Sequence, residues 1–375
     1  MKSFLRKLFM KNNIIIDCKN LAFYSSGIAG YFKPFLKALI EYFDKYHFIL
    51  TAPYDFDTNF IKEFSNWEVK IVPYKKLGNN TLEIIYYDFV VYPTALKSID
   101  TYLLISPYYD FIIPLKFKNR SIITVHDLCY WELDRHYSAK VKFYHKLLLN
   151  INISRTKKIV TVSQTSLKKI KRIFGEAIYD KSVVIYNTFE KNIEKNMLSN
   201  FKSSKKTLLY TGGFEQRKNI KMLFYALRQL KKELEIELIF TGNFQGNMQL
   251  KKMIKELDVE DIVTLTGIVS TEKLQEYYMK CDMVINISLC EGFGRSNLEA
   301  YIYNRPLVCS DIEVFRELVG NYAFYCNPYD SKSIQKAIKA VFQNSKKDYM
   351  INIERFKFEK NKKTFIDMVK DILAK

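Results

Sequence analysis

At 375 residues the chain is longer than one typical core and suits two domains of ordinary size. Apolar residues at 48% and charged residues at 26% give a globular balance and exclude general disorder. The formal charge of +19 predicts attraction to anionic partners, but no arginine-rich tail, zinc-ligand spacing or RNA-binding aromatic motif accompanies it, which argues against nucleic acid.

The first eleven residues, Met1 to Lys11, do not read as a signal peptide, because Arg6 and Lys7 break the apolar run and no small-residue cleavage site follows. Helical spacing gathers Phe4, Leu5, Leu8 and Phe9 near one face, so a basic extension over 1–12 reads either as a membrane-surface helix or as a frayed start. Short β-rich runs then alternate with amphipathic ones. Strands are predicted at 13–17, 47–51, 69–72, 101–105, 121–125, 159–163 and 182–186, and helices at 30–43, 139–155 and 165–174. The lysine-rich stretch from Lys191 to Lys206 lacks apolar periodicity and reads as a linker. The alternation restarts with strands at 207–211, 236–241, 262–265, 282–287, 306–309 and 322–325. Helices interleave with them at 219–232, 247–257, 271–280, 296–303, 314–319 and 331–343, and a last mixed-charge helix covers about 350–374. Near-continuous apolar strands between helices imply parallel sheets covered on both faces, hence an α/β protein of two Rossmann-like doubly wound domains facing a central cleft.

No apolar run reaches the ~18–20 residues that span a bilayer. The cysteines, Cys18, Cys129, Cys281, Cys290, Cys309 and Cys326, form no C-x-x-C pair, and most lie in or beside strand-like runs as small hydrophobes. A reducing, cytoplasmic setting fits, at the inner face of the cell membrane if the basic start engages lipid.

Four segments carry chemistry. In Cys290-Glu-Gly-Phe-Gly-Arg-Ser-Asn-Leu-Glu-Ala300, a loop with Gly292 and Gly294 leads from a strand into a helix, offering free N–H groups and a positive dipole end to phosphate. Glu291 and Glu299 frame that turn and suit hydroxyl donors such as those of sugar or ribose; a plain glycine turn with a surface glutamate is the other reading. In Tyr210-Thr-Gly-Gly-Phe-Glu-Gln-Arg-Lys-Asn219, Arg217 and Lys218 stand near a helix start, where the dipole disfavours cations, which points to an anion or to solvated charges. His126 and Asp127 end a strand where doubly wound sheets place ligands. Gly27 and Gly30 lie in Ser25-Ser-Gly-Ile-Ala-Gly-Tyr31, which is not the G-x-G-x-x-G of a dinucleotide site.

In this order, over about residues 13 to 345, the segments resemble glycosyltransferase family 4, of the GT-B fold, and its mannosyltransferase-like group. The E-x7-E pair Glu291 to Glu299 carries the likeness, with Thr161-Val-Ser163, Val184-Ile-Tyr-Asn187, Phe240-Thr-Gly242, Leu265-Thr-Gly267 and Asn304-Arg-Pro-Leu-Val308 in support. The resemblance implies a retaining transfer of a hexose-type sugar from a nucleotide-diphosphate donor, with no metal and no other cofactor. The implied acceptor is a saccharide or lipid-linked saccharide in surface polysaccharide or lipopolysaccharide synthesis, and an anionic membrane surface is a further expected partner. It implies catalytic roles for His126, Lys218 and Glu291, and a donor site of Gly27, Gly30, Gly213, Arg217, Lys218, Gly292, Phe293, Gly294, Arg295 and Glu299. Glu299 would hold the donor ribose, Glu291 the sugar hydroxyls and Lys218 the diphosphate. The implied domains are 1–12, 13–195 and 205–349, with 350–375 crossing back to the first. The chain departs from the family at Gly213, where many relatives carry a phosphate-binding arginine; the alternatives are that Arg217 or Arg295 supplies the missing charge or that one cation suffices. The competing readings are a GT-B enzyme of another class, an epimerase or phosphorylase, and a non-catalytic membrane-associated relative.

Overall fold

The computed structural model describes residues 13–22, 27–74, 80–133, 135–189, 205–244, 246–343 and 351–374. The basic extension 1–12 and the linker residues 191–204 lie outside them. The chain divides into two compact units, one of residues 1–130, 138–189 and 354–375, the other of 131–137 and 190–353.

The first unit is built on apolar runs that leave no face for water. Ile14, Ile15 and Ile16 of β1 (Asn13–Asp17) are fully buried, so this strand has sheet neighbours on its edges and helices on both faces. It pairs in parallel with β2 (His47–Ala52) on one side and β4 (Leu103–Ser106) on the other. With β3 (Trp67–Ile71), β5 (Ser121–Val125), β6 (Lys158–Thr161) and β7 (Ser182–Val184), the order is β3-β2-β1-β4-β5-β6-β7, all parallel. The covering helices are α1 (Gly27–Tyr42), α2 (Asn80–Tyr86), α3 (Tyr92–Ser98), α4 (Ala139–Arg155) and α5 (Gln164–Phe174). Serines open two of them: Ser163 accepts from the Ser166 amide at 3.0 Å, and Ser138 caps α4 through the Val141 amide.

The second unit repeats the plan. Its strands are β8 (Lys206–Thr211), β9 (Ile236–Thr241), β10 (Val263–Gly267), β11 (Met283–Asn286), β12 (Leu307–Ser310) and β13 (Phe324–Cys326), in the parallel order β10-β9-β8-β11-β12-β13. Its helices are α6 (Ile220–Leu230), α7 (Met248–Glu256), α8 (Thr271–Lys280), α9 (Arg295–Ile302), α10 (Glu313–Val319) and α11 (Ser331–Gln343). The core joins Leu223 and Phe224 of α6, Phe240 of β9 and Ile338 of α11.

The last helix, α12 (Phe358–Leu373), belongs to the first unit. Phe35 of α1 meets Phe365 at 5.2 Å and Phe358 at 5.6 Å between ring centroids, and the Asn361 side chain accepts from the Tyr186 amide at 2.8 Å.

Two differences from the sequence expectation stand out. Residues 80–98, for which no element is predicted, are helical: α2 runs through a π-helical turn, Tyr87–Val91, into α3. Glu83 and Asp88 are buried there while Leu82, Ile84, Ile85, Tyr86 and Val90 face outward, so the usual amphipathic pattern is inverted and periodicity cannot reveal the helix. The final stretch is also not one helix but a 3₁₀ turn, Ile353–Phe356, followed by α12. Cys18, Cys281, Cys309 and Cys326 are buried free thiols.

Phe365 is 4% exposed, so Phe365→Ala removes a ring from the seam between α1 and α12. Denaturant unfolding should show a loss of about 3–5 kcal/mol in the transition of the first unit. A loss below the error of extrapolation would mean that α12 adds nothing to that unit.

Candidate functional site

In the second unit β8 and β11 are hydrogen-bonded neighbours although α6 to α8 intervene in sequence. The crossovers leave this pair in opposite directions, so the loops at their carboxyl ends are not covered by a connecting helix, and doubly wound sheets bind ligands there. Both loops carry the residues singled out above.

The loop after β8 is shaped by close backbone approach. A Cβ on Gly242, at the end of β9, would lie 1.9 Å from the carbonyl oxygen of Gly212. The chain then makes a 3₁₀ turn, Gln216–Lys218, and Asn219 takes a left-handed conformation with φ of 59° before α6 begins. The Asn219 amide group donates to the Pro328 carbonyl at 2.7 Å, which offsets the strain of a non-glycine residue there. This turn aims Arg217 and Lys218 at the loop after β11, and a backbone bond from Leu289 N–H to Arg217 C=O at 2.7 Å ties the two loops.

Glu291 is the point where they meet. It is 8% exposed. One carboxylate oxygen accepts from Lys218 Nζ at 2.5 Å and from Ser288 Oγ at 2.8 Å; the other accepts from Arg217 at 2.7 Å. Arg217 also donates to Glu215 at 2.8 Å. Burial opposes ionisation of Glu291, but the two cations and the bonds from Lys218 and Ser288 outweigh it and hold the carboxyl at about 2, below its ordinary 4.5. The cations that the sequence sets against the α6 dipole are therefore balanced, in this state, by the protein's own carboxylate.

Beyond Glu291 the backbone turns at Gly294, with φ of 102°, and α9 begins at Arg295. A Cβ at Gly294 would stand 2.6 Å from the Phe315 ring, so only glycine fits both the angle and the space. Asn286 fixes the turn, donating to Asn297 at 2.8 Å and accepting from Ser288 Oγ at 2.8 Å. Gly292 is buried, and the Phe293 side chain is 5% exposed. Glu299, one turn into α9, accepts from Tyr278 OH at 2.6 Å, and the Tyr278 ring stacks on Tyr303 at 4.9 Å. Arg295 approaches Glu299 at 3.6 Å. Gly213 accepts from Tyr210 OH at 3.1 Å, and a Cβ there would meet nothing closer than 3.6 Å.

The structure thus groups Arg217, Lys218 and Glu291 in one cluster and Arg295 and Glu299 in a second. Sequence reasoning missed the supporting side chains Ser288, Tyr278, Asn219 and Asn286. The signal for Ser288 was its place three residues before Glu291; Tyr278 lies on α8, too distant in sequence to be linked to Glu299.

Gly27, Gly30 and His126 belong to the first unit. Gly27 and Gly30 occupy the first turn of α1 and are exposed, and a Cβ at Gly27 would meet nothing within 4 Å. His126 follows β5, with its Nε2 at 2.9 Å from the Pro107 carbonyl, and the ring of Tyr31 packs edge-on at 5.2 Å. A carbonyl only accepts, so Nε2 carries the proton and Nδ1 is an acceptor. Burial lowers the imidazole from 6.5 to about 4 against the opposing Pro107 bond and Asp127 charge, so the ring is neutral near pH 7. A polar knot at the switch point of this sheet is not foreshadowed by any motif. There Asp17 accepts from Tyr92 OH and Ser106 Oγ, each at 2.7 Å, and buried Lys19 pairs with Asp88 at 2.5 Å.

Residues 192–355 match the family described as glycosyl transferases group 1. Over 233 residues the chain is 34% identical to the O-antigen chain mannosyltransferase RfbU of Salmonella typhimurium, covering 62% of this chain and 63% of that protein. The chain therefore spans somewhat less than two thirds of that relative's length. It is 25% identical over 261 residues to O-antigen chain mannosyltransferase B of Escherichia coli, covering 67% of this chain and 68% of that protein. Among solved structures, the Anabaena protein HepE in complex with UDP and glucose superposes with a TM-score of 0.68 at 18% identity, over 96% of this chain and 99% of that one. The two doubly wound units are those of the GT-B glycosyltransferase fold. Over residues 192–355 the chain is thus similar to glycosyl transferases group 1, and it is similar in sequence to O-antigen mannosyltransferases.

Two measurements check the electrostatics. Glu291 has a depressed pKa, so its stabilisation is complete above 4.5 and is lost as pH falls through about 2. Glu291→Gln should destabilise the second unit by ~3 kcal/mol at neutral pH, by taking the carboxylate partner from Lys218 and leaving Arg217 with Glu215 alone, and should flatten its acid dependence in that window. An unchanged acid profile would remove Glu291 as its source. For His126, the ring resonances in an NMR titration should stay at their neutral positions through pH 6.5 and shift only near 4; a midpoint near 6.5 would refute a neutral imidazole.

Proposed function

We propose that this protein is a retaining glycosyltransferase. It moves a hexose, mannose by analogy with its named relatives, from a nucleotide-diphosphate donor to a saccharide or lipid-linked saccharide at an anionic membrane surface, in O-antigen or lipopolysaccharide synthesis. One observation carries the reading: two cations, Arg217 and Lys218, converge with Glu291 at the carboxyl-end loops of the β8–β11 pair, next to the glycine turn that opens α9.

The chemistry follows from competition for charge. An incoming diphosphate is a stronger anion than one carboxylate and draws Lys218 and Arg217 toward itself. Departure of the nucleoside diphosphate concentrates negative charge, and fixed cations stabilise that transition state. Glu291, released from part of its pairing, is then available to accept from sugar hydroxyls. Glu299, oriented by Tyr278, accepts from the ribose. Arg217 takes the place of the arginine missing at Gly213, because it shares Glu291 with Lys218, whereas Arg295 approaches Glu299. His126 offers a neutral Nδ1 acceptor to the reacting sugar. No step here calls for a metal.

A thermal-shift screen with UDP- and GDP-linked hexoses tests donor binding, since a ligand held by the native state raises the melting temperature by mass action. Lys218→Ala should then cut turnover by roughly 10² or more, and Glu299→Ala should mainly weaken donor binding. Full turnover in a folded Lys218→Ala protein would end the leaving-group assignment, and free sugar as the sole product would favour another reaction class.

A further inference from the structure

The carboxyl ends of β1 and β4 meet where the strand order of the first sheet reverses. Asp17 ends β1, Ser106 ends β4, and both are buried. Ser106 Oγ lies 2.7 Å from Asp17 Oδ2 and 2.6 Å from the Tyr108 carbonyl, and it accepts from the Tyr108 N–H at 3.3 Å. That N–H and the carbonyl of Pro107 are the two ends of one planar peptide group, so whatever orients one orients the other. The Pro107 carbonyl in turn accepts from His126 Nε2 at 2.9 Å. A continuous run of hydrogen bonds therefore leads from Asp17, through Ser106 and the 107–108 peptide, to the imidazole.

One hydroxyl proton cannot serve both short contacts of Ser106. A serine carries a single O–H, and carbonyl and ionised carboxylate oxygens only accept. A proton on Asp17 Oδ2 resolves the count: Asp17 donates to Ser106, and Ser106 donates to the Tyr108 carbonyl. The other oxygen, Oδ1, stays an acceptor, for Tyr92 OH at 2.7 Å and the Lys19 N–H at 3.1 Å. The surrounding groups favour that proton. Asp88 of the π-helical turn and Asp110 of the loop after β4 share the one buried cation, Lys19 Nζ, at 2.5 and 3.4 Å. Tyr87, Tyr92 and Cys18, which also face Asp17, are held uncharged by burial. Burial and the charge of Asp110 raise the Asp17 carboxyl from 3.8 to about 6, against Lys19, Ser106 and Tyr92. Lys19 also donates to the Asp110 carbonyl at 3.2 Å and so ties down the far end of the loop that carries Pro107.

We propose that Asp17 and Ser106 are positioning residues for His126: a neutral Asp17 carboxyl sets the Ser106 hydroxyl, which fixes the 107–108 peptide and with it the ring tautomer. A neutral imidazole can carry its proton on either nitrogen, and a carbonyl held in place selects Nε2–H and keeps Nδ1 an acceptor. If the peptide turns away, that selection is lost and both tautomers are populated. As a contribution to sugar transfer this rests on the role proposed above for His126. As a relay within the first unit it does not, because the tautomer is read with neither donor nor acceptor present.

The test is nitrogen NMR of the His126 ring in the full chain, between the His126 value of about 4 and the Asp17 value of about 6, where the ring is neutral and the carboxyl protonated. The wild type should show the Nε2–H form. So should Asp17→Asn, because its side-chain amide donates to Ser106 as a neutral carboxyl does. Ser106→Ala and Asp17→Ala should give ring shifts averaged between the two tautomers. Turnover, with the UDP- or GDP-linked hexose that raises the melting temperature, should fall by about tenfold or more in Ser106→Ala and stay within about twofold in Asp17→Asn. The donor-induced melting shift should persist in both. Unchanged melting temperature without donor certifies each fold; if Asp17→Ala melts early, Ser106→Ala decides. The Nε2–H form retained in folded Ser106→Ala overturns the proposal, as does tautomer averaging in Asp17→Asn. Averaging in Ser106→Ala with full turnover upholds the relay and instead ends the part given to His126 in transfer.

Discussion

One carboxylate organises the second unit. Glu291 holds Lys218 and Ser288 on one oxygen and Arg217 on the other, and so joins loops that leave two different strands. The parallel pairing of β8 with β11 brings those loops together, and the glycine at 294 lets the backbone turn away into α9 beside the Phe315 ring. Without Glu291, Lys218 would lose its carboxylate partner in a half-enclosed space and Arg217 would keep only Glu215. The arrangement is thus a structural clasp between the two loops and, on the proposed reading, the place where a stronger anion would compete for the same cations.

The α/β class and doubly wound order were legible because their cause is local. Runs such as Ile14-Ile-Ile16 and Met283-Val-Ile-Asn286 are too apolar for a sheet with a wet face, and parallel strands need helical crossovers. Helix 139–155 is recovered to the residue, since Ser138 caps its start. The stretch 80–98 was not legible. A pattern reader assumes that charges mark the outside, and at Glu83 and Asp88 they mark the inside. What keeps Asp88 there is Lys19, which is 69 positions away in sequence.

At the candidate site the same distinction holds. Residue types in glycine turns after strands pointed to Glu291, Lys218 and Glu299. The partners that set their chemistry came from elsewhere: Tyr278 from α8 reaches Glu299, and the Pro107 carbonyl decides which nitrogen of His126 carries its proton. Arg217 and Lys218 show the limit most clearly. Their placement against a helix dipole indicates that an anion is present, but not that the protein itself supplies one.

The return of α12 to the first unit has a consequence for biosynthesis. Phe35 waits for Phe358 and Phe365, which emerge from the ribosome only after the whole second unit has been made. At about 5–20 residues per second, that delay is on the order of ten seconds or more. During it, one face of α1 is an open apolar groove with no covalent neighbour to fill it. The second unit, by contrast, holds nearly all of its sequence in one run and can close first. The nascent chain therefore matures out of order, its amino-terminal half completed by its last helix, and truncation near the carboxyl end would be felt at the other end of the molecule.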